Sequence, residues 1–305
     1  MLRAMDLRAA TDRLPEPVAH ALRQAKFRAA VLAKHATWGF PEIRGPITEP
    51  FYAAWQRRHP YPFPAAKYAG TWLDRSEPAR HIEPGEPIPR RIFVTWTGTN
   101  PLTPQRERGL ASIVEQNPGI DVVLVTPDNL AEWVVPDHPF PSEYEQLSLV
   151  HRSDYLRCYL LHHHGGGYAD IKRLRGGFHD SFELLERSPH WLLGYTEVHR
   201  LNTPLVGGAL QRDLRRVSRQ LLGYGGLIAR AHTPLTAEWY RRVRDGLRDY
   251  APQLAAHPGN IRGDNPGYPL DWTEVLAHIV APLTWKYQDH VIHDLRVRPV
   301  LRNYV

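Results

Sequence analysis

Cysteine is nearly missing from this chain of 305 residues, which has Cys158 and no other. One thiol excludes an intrachain disulfide, and it also excludes a zinc site built from several cysteines. Hydrophobic runs are short as well, because no stretch reaches the roughly 18 apolar residues that indicate a bilayer-spanning helix. The first residues lack the apolar core of a signal peptide, so the sequence predicts a soluble cytoplasmic protein.

Lysine is also scarce, since only 5 of the 38 basic residues are lysine and the others are arginine. The formal charge of +6 suits an anionic partner such as a nucleotide phosphate, an acidic glycan or a phospholipid surface. An excess of this size is also common in ordinary enzymes, and we expect no nucleic-acid partner. Hydrophobic residues make up 42% of the chain, enough for one large domain and an extension.

Two segments of different character precede the regular part of the sequence. Residues 18–36 have a basic amphipathic pattern, which predicts a helix that packs on the main domain or lies on the inner face of an anionic membrane. Residues 38–89 are rich in proline and aromatics, so we expect an irregular arm packed over the domain. We therefore predict an extension over 1–85 and a main domain over 86–305.

From residue 90 onward the sequence alternates between strand and helix patterns. Buried strands are predicted at 90–98 and 120–126, with a helix between them that begins near Thr103. A second helix ends at three glycines, and a short strand at 168–171 follows it. This order predicts an α/β fold with a mostly parallel sheet flanked by helices. Further elements are predicted as strands at 190–197, 204–210 and 225–230 and as a helix capped near Thr233.

Three features fall where strands end, which is where open α/β sheets bind ligands. Trp96 follows the first strand and either stacks on a nucleobase or belongs to the core. Asp154 and Arg157 share one helix face, where they meet the same ligand or form a plain ion pair. Asp170 follows the glycines at 165–167, whose missing side chains would let a ligand approach the backbone.

The stretches IPRRIFVTWTG, NPGIDVVLVT and RSDYLRCYLLHHHGGGYADIK together resemble the bacterial capsular-polysaccharide-synthesis and DXD-containing sugar-transferase families. These families are glycosyltransferases of the GT-A fold, a Rossmann-like fold that binds nucleotide sugars. The resemblance implies that 86–305 form a GT-A domain. It also implies transfer of a sugar from a UDP- or GDP-linked donor to a glycan, lipid-linked or small-molecule acceptor, mostly with retention of the anomeric configuration.

The resemblance further implies roles for individual residues. Trp96 would stack on the base, and Asp154 and Arg157 would hold hydroxyl groups of the ribose or the donor sugar. Asp170 would be the first carboxylate of the DXD motif, facing the ribose and a Mn²⁺ or Mg²⁺ ion that bridges the diphosphate. The remaining donor-site candidates are neighbours of these residues: Thr95, Gly166, Tyr168 and Arg173.

Lys172 occupies the position of the second aspartate in that motif. A hard divalent cation prefers oxygen ligands, and an ammonium group in a ligand position repels it. Lys172 therefore contacts the diphosphate in a metal-independent transferase, or it points away while Asp170 binds metal with carboxylates from elsewhere. A third alternative is an inactive protein that only binds a nucleotide sugar or glycan. Strand alternation places both residues on one face, which counts against the second alternative.

The stretch GNIRGDNPGYPLDW, residues 259–272, is typical either of a mobile flap that closes over the donor or of a fixed surface turn. We expect a flap, because relatives have a similar stretch near their site. The candidates for the flap, the acceptor site and the missing metal ligand are Asp264, Tyr268, Asp271, Trp272 and Glu274.

Three consecutive histidines, at 162–164, end the second helix. Neighbouring residues on a helix point about 100° apart, so these three cannot converge on one ion. We therefore expect no metal site there. His232 is uninformative in the sequence.

Overall fold

The computed structural model describes residues 54–56, 58–78, 80–197 and 202–301. Within these ranges six strands form one sheet in the order β2-β1-β3-β5-β4-β6. Three of the five strand pairs are parallel, and β5 runs antiparallel to both of its neighbours. The predicted α/β fold with a mostly parallel sheet is therefore confirmed. The strands are β1 (Arg91–Thr95), β2 (Asp121–Val125), β3 (Gly166–Ala169), β4 (Leu192–Thr196), β5 (Leu222–Ala229) and β6 (Val291–His293).

Helices cover both faces of the sheet, and successive residues of a strand pack against opposite faces. Phe93 of β1 belongs to the larger core cluster, with α2, α5 and α7, whereas Ile92 and Val94 belong to the cluster with α1 and α3. This division follows from the two-residue period of a strand. The described helices are α1 (Pro104–Gln116), α2 (Leu149–His163), α3 (His179–Glu186), α4 (Gly208–Arg216), α5 (Pro234–Asp249), α6 (Ala251–Ala256) and α7 (Ala277–Lys286).

The starts of α1 and α5 are confirmed as predicted. Thr103 caps α1 by accepting a hydrogen bond from the backbone N–H of Arg106. Thr233 caps α5 through a reciprocal pair with Thr236, and both helices have proline in the first turn. Such caps satisfy N–H groups that the helix itself leaves unpaired.

Two strand predictions need correction. The segment at 204–210 is not a strand: a turn at Gly207 and Gly208, with φ of +76° and +57°, leads into α4. The short apolar run at 204–210 suggested a strand, because the buried side of α4 extends to Leu214 and so lies partly beyond this segment. The strand predicted at 120–126 exists as β2, but it is an edge strand that is mostly half-buried rather than buried.

The described part of the predicted arm packs against α4 and α7. Phe63 and Tyr68 contact the ring of Trp285 with centroids 5.0 and 6.0 Å away. Trp285 donates its indole N–H to the backbone oxygen of Tyr61 at 2.9 Å, and Tyr68 donates its hydroxyl to Asp213 at 2.6 Å. The arm is thus irregular and packed as predicted, and the division at residue 85 stays a prediction.

The amphipathic helix predicted at 18–36 lies outside the described residues. Among the helices that are described, none has the length and apolar character needed to cross a bilayer.

Gly246 offers a stability test of α5. A Cβ atom added there meets no heavy atom within 4 Å, and alanine stabilises a helix interior relative to glycine. We expect Gly246→Ala to raise the free energy of unfolding in urea by about 0.5–1 kcal/mol. The matched control is Gly226→Ala, whose Cβ would lie 2.0 Å from the backbone oxygen of Val297 and should destabilise. A loss of stability in Gly246→Ala would contradict this description of α5.

Candidate functional site

Polar side chains collect at the edge of the sheet where β1 and β3 end. Thr95 is the last residue of β1, and Asp170 comes directly after β3. The Thr95 hydroxyl oxygen lies 2.6 Å from that of Ser153 on α2 and 3.3 Å from that of Tyr168 on β3. Two parallel strand ends and the side of α2 therefore form one polar surface.

Arg157 is the centre of this surface. One of its terminal nitrogens donates to the Tyr168 hydroxyl and to Asp170 Oδ1, both at 3.0 Å, and lies 3.4 Å from Asp154 Oδ1. The side chain is 6% exposed. Its Nε is buried and has no hydrogen-bond partner among the described residues. A buried N–H without a partner is costly, so an oxygen atom of a ligand would stabilise it.

Lys172 turns back onto Asp170. Its Nζ lies 2.9 Å from Asp170 Oδ2, and its backbone N–H donates to the backbone oxygen of Asp170 at 2.6 Å. The strand has already ended, and this tight turn brings the ammonium group to the carboxylate. The alternative in which Lys172 points away from Asp170 is therefore wrong.

Positive charge dominates around Asp170. Burial alone would raise the pKa of Asp170, but the charges of Lys172 and Arg157 outweigh it and lower that pKa to about 2. Arg106 on the first turn of α1 contributes in the same direction, and it donates to the backbone oxygen of Ile171 at 2.8 Å. Sequence reasoning missed Arg106, although its place in a helix first turn after a strand was a usable signal.

Asp154 has the opposite electrostatic character. Burial raises its pKa to about 7, and the charge of Arg157 offsets only part of that effect. Its side chain is 9% exposed. Near neutral pH this carboxyl group is thus shared between a form that donates a hydrogen bond and a form that accepts one.

The raised pKa of Asp154 predicts a pH-dependent contribution to stability. A carboxyl group whose folded pKa exceeds its unfolded value of 3.8 stabilises the fold fully below pH 4, and this stabilisation is lost as the pH rises to about 7. We expect the unfolding free energy of the wild type minus that of Asp154→Asn to decrease over this range. Taking the difference removes the contribution of the histidines. A pH-independent difference in urea denaturation would contradict the raised pKa.

The glycines near Asp170 have a different role from the predicted one. Gly166 begins β3, at the opposite end of the strand from Asp170, and an added Cβ would lie 2.9 Å from the backbone oxygen of Arg91. Its positive φ of +92° and this close approach serve strand packing, so the placement of Gly166 in the donor site is wrong. The glycine beside the carboxylate is Gly225 on β5, which accepts the backbone N–H of Asp170 at 2.9 Å.

A second carboxylate lies at the same edge of the sheet, at the end of β4. β4 runs parallel to β3, and Glu197, 9% exposed, follows its last residue. Asn202 donates to Glu197 at 3.0 Å. Burial first, and then the charge of Glu197, raises the pKa of Tyr195, whose hydroxyl accepts the N–H of Gly225. Sequence reasoning placed Glu197 in a strand without a role, although a carboxylate at a strand end was the available signal.

The loop at 259–272 is tied to the start of α2. The Tyr268 hydroxyl accepts the backbone N–H of Ser148 at 3.1 Å and lies 2.7 Å from Nδ1 of His151. The other ring nitrogen of His151 lies 3.1 Å from the backbone oxygen of Asp271. Tyr268 is therefore a buried anchor, while Trp272 is exposed. That this loop closes over a ligand stays a prediction.

Two of the candidate carboxylates, Asp264 in this loop and Glu274 just after it, accept hydrogen bonds from nearby side chains. Asn260 donates to Asp264 at 2.7 Å, and Tyr250 donates to Glu274 at 2.9 Å. Asp271 donates its backbone N–H to Glu274. Among the described contacts of Asp170 there is no carboxylate from this loop.

The groups around Asp170 do not fit a hard divalent cation. Both oxygens of this carboxylate are paired with cationic side chains, one with Arg157 and one with Lys172. Mn²⁺ and Mg²⁺ need several oxygen ligands, and an ammonium group stands where the second would be. The same set of donors suits an anion instead.

Trp96 and Arg173 lie beside the cluster and outside its hydrogen-bond network. Trp96 is half-buried directly after β1 and donates its indole N–H to the backbone oxygen of Asn100 at 2.7 Å. Its stacking on a base stays a prediction. Arg173 is exposed, and its backbone oxygen accepts the N–H of Val300 at 2.8 Å.

Comparisons with known proteins agree with the sequence resemblance over part of the chain. Residues 66–171 match the family described as "Capsular polysaccharide synthesis protein". Inositol phosphoceramide mannosyltransferase 3 of Schizosaccharomyces pombe is 28% identical over 107 residues, 34% of this chain and 29% of that protein. The chain thus matches less than a third of that relative's length. The solved structure of PaToxG glycosyltransferase aligns with 72% of each chain at 13% identity and a TM-score of 0.41, too low to support an inference.

Proposed function

We propose that this chain is a glycosyltransferase that takes a sugar from a nucleoside diphosphate donor. The observation that carries the proposal is the pairing of Asp170 with Arg157 and Lys172 at the ligand-binding edge of the sheet. The family match covers Asp170 and ends one residue before Lys172. Lys172, which stands in place of the second aspartate, therefore lies just outside the matched residues.

The proposed chemistry is electrostatic stabilisation of the leaving group without a divalent cation. Negative charge builds on the diphosphate as the bond to the sugar breaks, and fixed cations in a partly dry site stabilise that charge. Lys172 and Arg157 supply the cations, and the unpaired Nε of Arg157 supplies a donor for a ligand oxygen. Asp170 positions both cations, and Asp154 is suited to hold a hydroxyl group of the donor.

We propose a UDP- or GDP-linked sugar as the donor, with Trp96 against its base and retention at the anomeric carbon. The name of the Schizosaccharomyces pombe relative specifies mannose and an inositol phosphoceramide. Mannosyl donors and lipid-linked acceptors therefore come first in a screen, followed by glycans and small molecules.

The test is donor hydrolysis by the purified full chain with UDP- and GDP-sugars, once with Mn²⁺ and once with EDTA. Turnover that survives EDTA supports the proposal. Turnover that requires Mn²⁺ overturns the metal-free chemistry while keeping the transferase. Absence of turnover with a donor that raises the melting temperature indicates a protein that binds nucleotide sugars without transferring them.

A further inference from the structure

Three histidines converge at the edge of the sheet opposite the Asp170 cluster. His162 and His163 end α2, and His232 lies in the turn between β5 and α5. One potential ligand atom from each ring lies within 4.8 Å of the others. The expectation that the histidines at 162–164 hold no metal considered only consecutive residues. Two of them converge with a third from a distant part of the sequence.

His163 supplies independent evidence for a ligand. Its side chain is buried, with 8% of the residue exposed, and neither ring nitrogen has a hydrogen-bond partner among the described residues. Leaving both nitrogens of a buried imidazole without partners is costly. A metal ion bound to one of them would offset that cost.

His162 can present one ring nitrogen to a metal ion while the other is hydrogen-bonded. Its Nδ1 lies 3.2 Å from the hydroxyl oxygen of Thr236, and that hydroxyl donates to the backbone oxygen of Thr233 at 3.1 Å. In the tautomer in which the Thr236 hydroxyl keeps its bond to Thr233, Nδ1 of His162 donates to Thr236. The lone pair is then on Nε2, and a hydrogen bond at the other nitrogen is the usual support of a metal-bound histidine.

His232 is held in a strained conformation. It has φ of +53°, and no other non-glycine residue in the described ranges has a positive φ. Its backbone N–H donates to the backbone oxygen of His162 at 3.0 Å, which fixes the turn against the end of α2. A left-handed conformation is unfavourable for a residue that has a Cβ atom. Such strain is typical of positions where a side chain must point at a particular place.

We propose that His162, His163 and His232 form a binding site for a borderline transition-metal ion of the Zn²⁺ class. Three imidazoles suit Zn²⁺, Co²⁺, Ni²⁺ or Cu²⁺ and disfavour Mg²⁺ and Mn²⁺, which prefer oxygen. Zn–N bonds of about 2.0–2.1 Å in a tetrahedral site separate the nitrogens by about 3.4 Å, so the ligand atoms must approach by up to about 1.4 Å. Rotation of the solvent-exposed His232 ring can provide most of that movement.

The charges around the site determine which fourth ligand the metal ion would take. Arg80, Arg244 and His138 are among the groups that act electrostatically on these rings, and the ring centroid of His138 lies 4.7 Å from that of His163. Arg80 also donates to the backbone oxygen of Ala231 beside His232. A divalent ion beside two guanidinium groups would carry an anionic fourth ligand, hydroxide or chloride.

The site has a structural role and does not depend on the proposed function. It links the end of α2 to the start of α5, two helices that pack against each other. Arg157 is about one and a half turns from His162 along α2, so the ion is outside the Asp170 cluster. An ion there ties the end of α2 to the start of α5, beyond the part of α2 that carries Asp154 and Arg157.

The test uses the tag-free full chain after removal of metal, titrated with Co²⁺ and followed by visible absorption. We expect one ion per chain, spectra typical of nitrogen ligation, displacement by Zn²⁺, and a higher melting temperature with either ion. Mg²⁺ at the same concentration should have no effect. Absence of saturable Co²⁺ and Zn²⁺ binding near one equivalent would overturn the proposal.

His232→Asn is the sharpest variant. Asparagine tolerates the left-handed conformation better than histidine, so this chain should fold at least as well without metal. We expect its Co²⁺ affinity to fall at least about tenfold and the metal-dependent rise in melting temperature to disappear.

The matched control is His81→Ala, which removes an exposed histidine from the arm and should bind Co²⁺ as the wild type does. Equal affinity in His232→Asn and the wild type would overturn the site. Donor hydrolysis should not change in His232→Asn, so failure of the transferase proposal would be a separate result.

Discussion

Replacing Lys172 with methionine lowers kcat/KM for the nucleotide-sugar donor by about 100- to 1000-fold, the usual effect of removing one fixed donor to a developing negative charge. The loss falls mainly on kcat, because the ammonium group stabilises the leaving diphosphate more than the bound donor. We expect the same loss with Mn²⁺ and with EDTA. Donor hydrolysis at saturating and limiting donor concentrations measures both parameters.

Arg175→Ala is the matched control for Lys172→Met. Arg175 is exposed and lies three residues further along the same basic turn, so its removal lowers the net charge equally. If both variants lose activity to the same small extent, general attraction of the anionic donor explains the effect. Wild-type activity in Lys172→Met would remove the central role proposed for the lysine.

Gly225→Ala is expected to reduce donor turnover by about 100-fold while leaving the fold intact. An added Cβ would lie 2.9 Å from Asp170 Oδ2 and 3.1 Å from the ring of Pro299. The carboxylate must move, and its pairs with Arg157 and Lys172 then lose their geometry. A misplacement of the order of 1 Å at a site can cost about this factor.

The comparison with two other glycine variants makes this result specific. Gly246→Ala has open space and should keep full activity, whereas Gly226→Ala clashes with backbone and should lose stability and activity together. We expect Gly225→Ala to lose activity with a change of about 1 kcal/mol or less in unfolding free energy. Full activity in Gly225→Ala would show that the position of Asp170 is unimportant.

Local sequence patterns were sufficient to predict the helix that carries Asp154 and Arg157 and the starts of two other helices. The spacing of Asp154 and Arg157 predicts a shared helix face, and both contact the same ion-pair network. Thr103 and Thr233 identify their helix starts because capping depends on neighbouring residues alone. Asp170 also lies directly after a strand of the sheet, as predicted, and its role in binding stays a prediction.

The remaining parts depend on pairings between distant segments. Gly225 meets Asp170 because β5 inserts antiparallel between β3 and β4, and no local pattern specifies that arrangement. Arg106 and His232 reach their partners in the same way, through packing of helices and turns from other parts of the chain. The strand predicted at 204–210 was wrong because four apolar residues with one proline and two glycines fit several structures equally well.

Under the proposed function, the double pairing of Asp170 means that the protein carries its own competitor for the incoming diphosphate. An incoming anion gains only the difference between its attraction to Arg157 and Lys172 and that of the carboxylate already held there. A singly charged group gains little from this exchange, whereas a diphosphate with more charge and more oxygens gains much. Selection against monoanions therefore follows from an ion pair within the protein, without any steric filter.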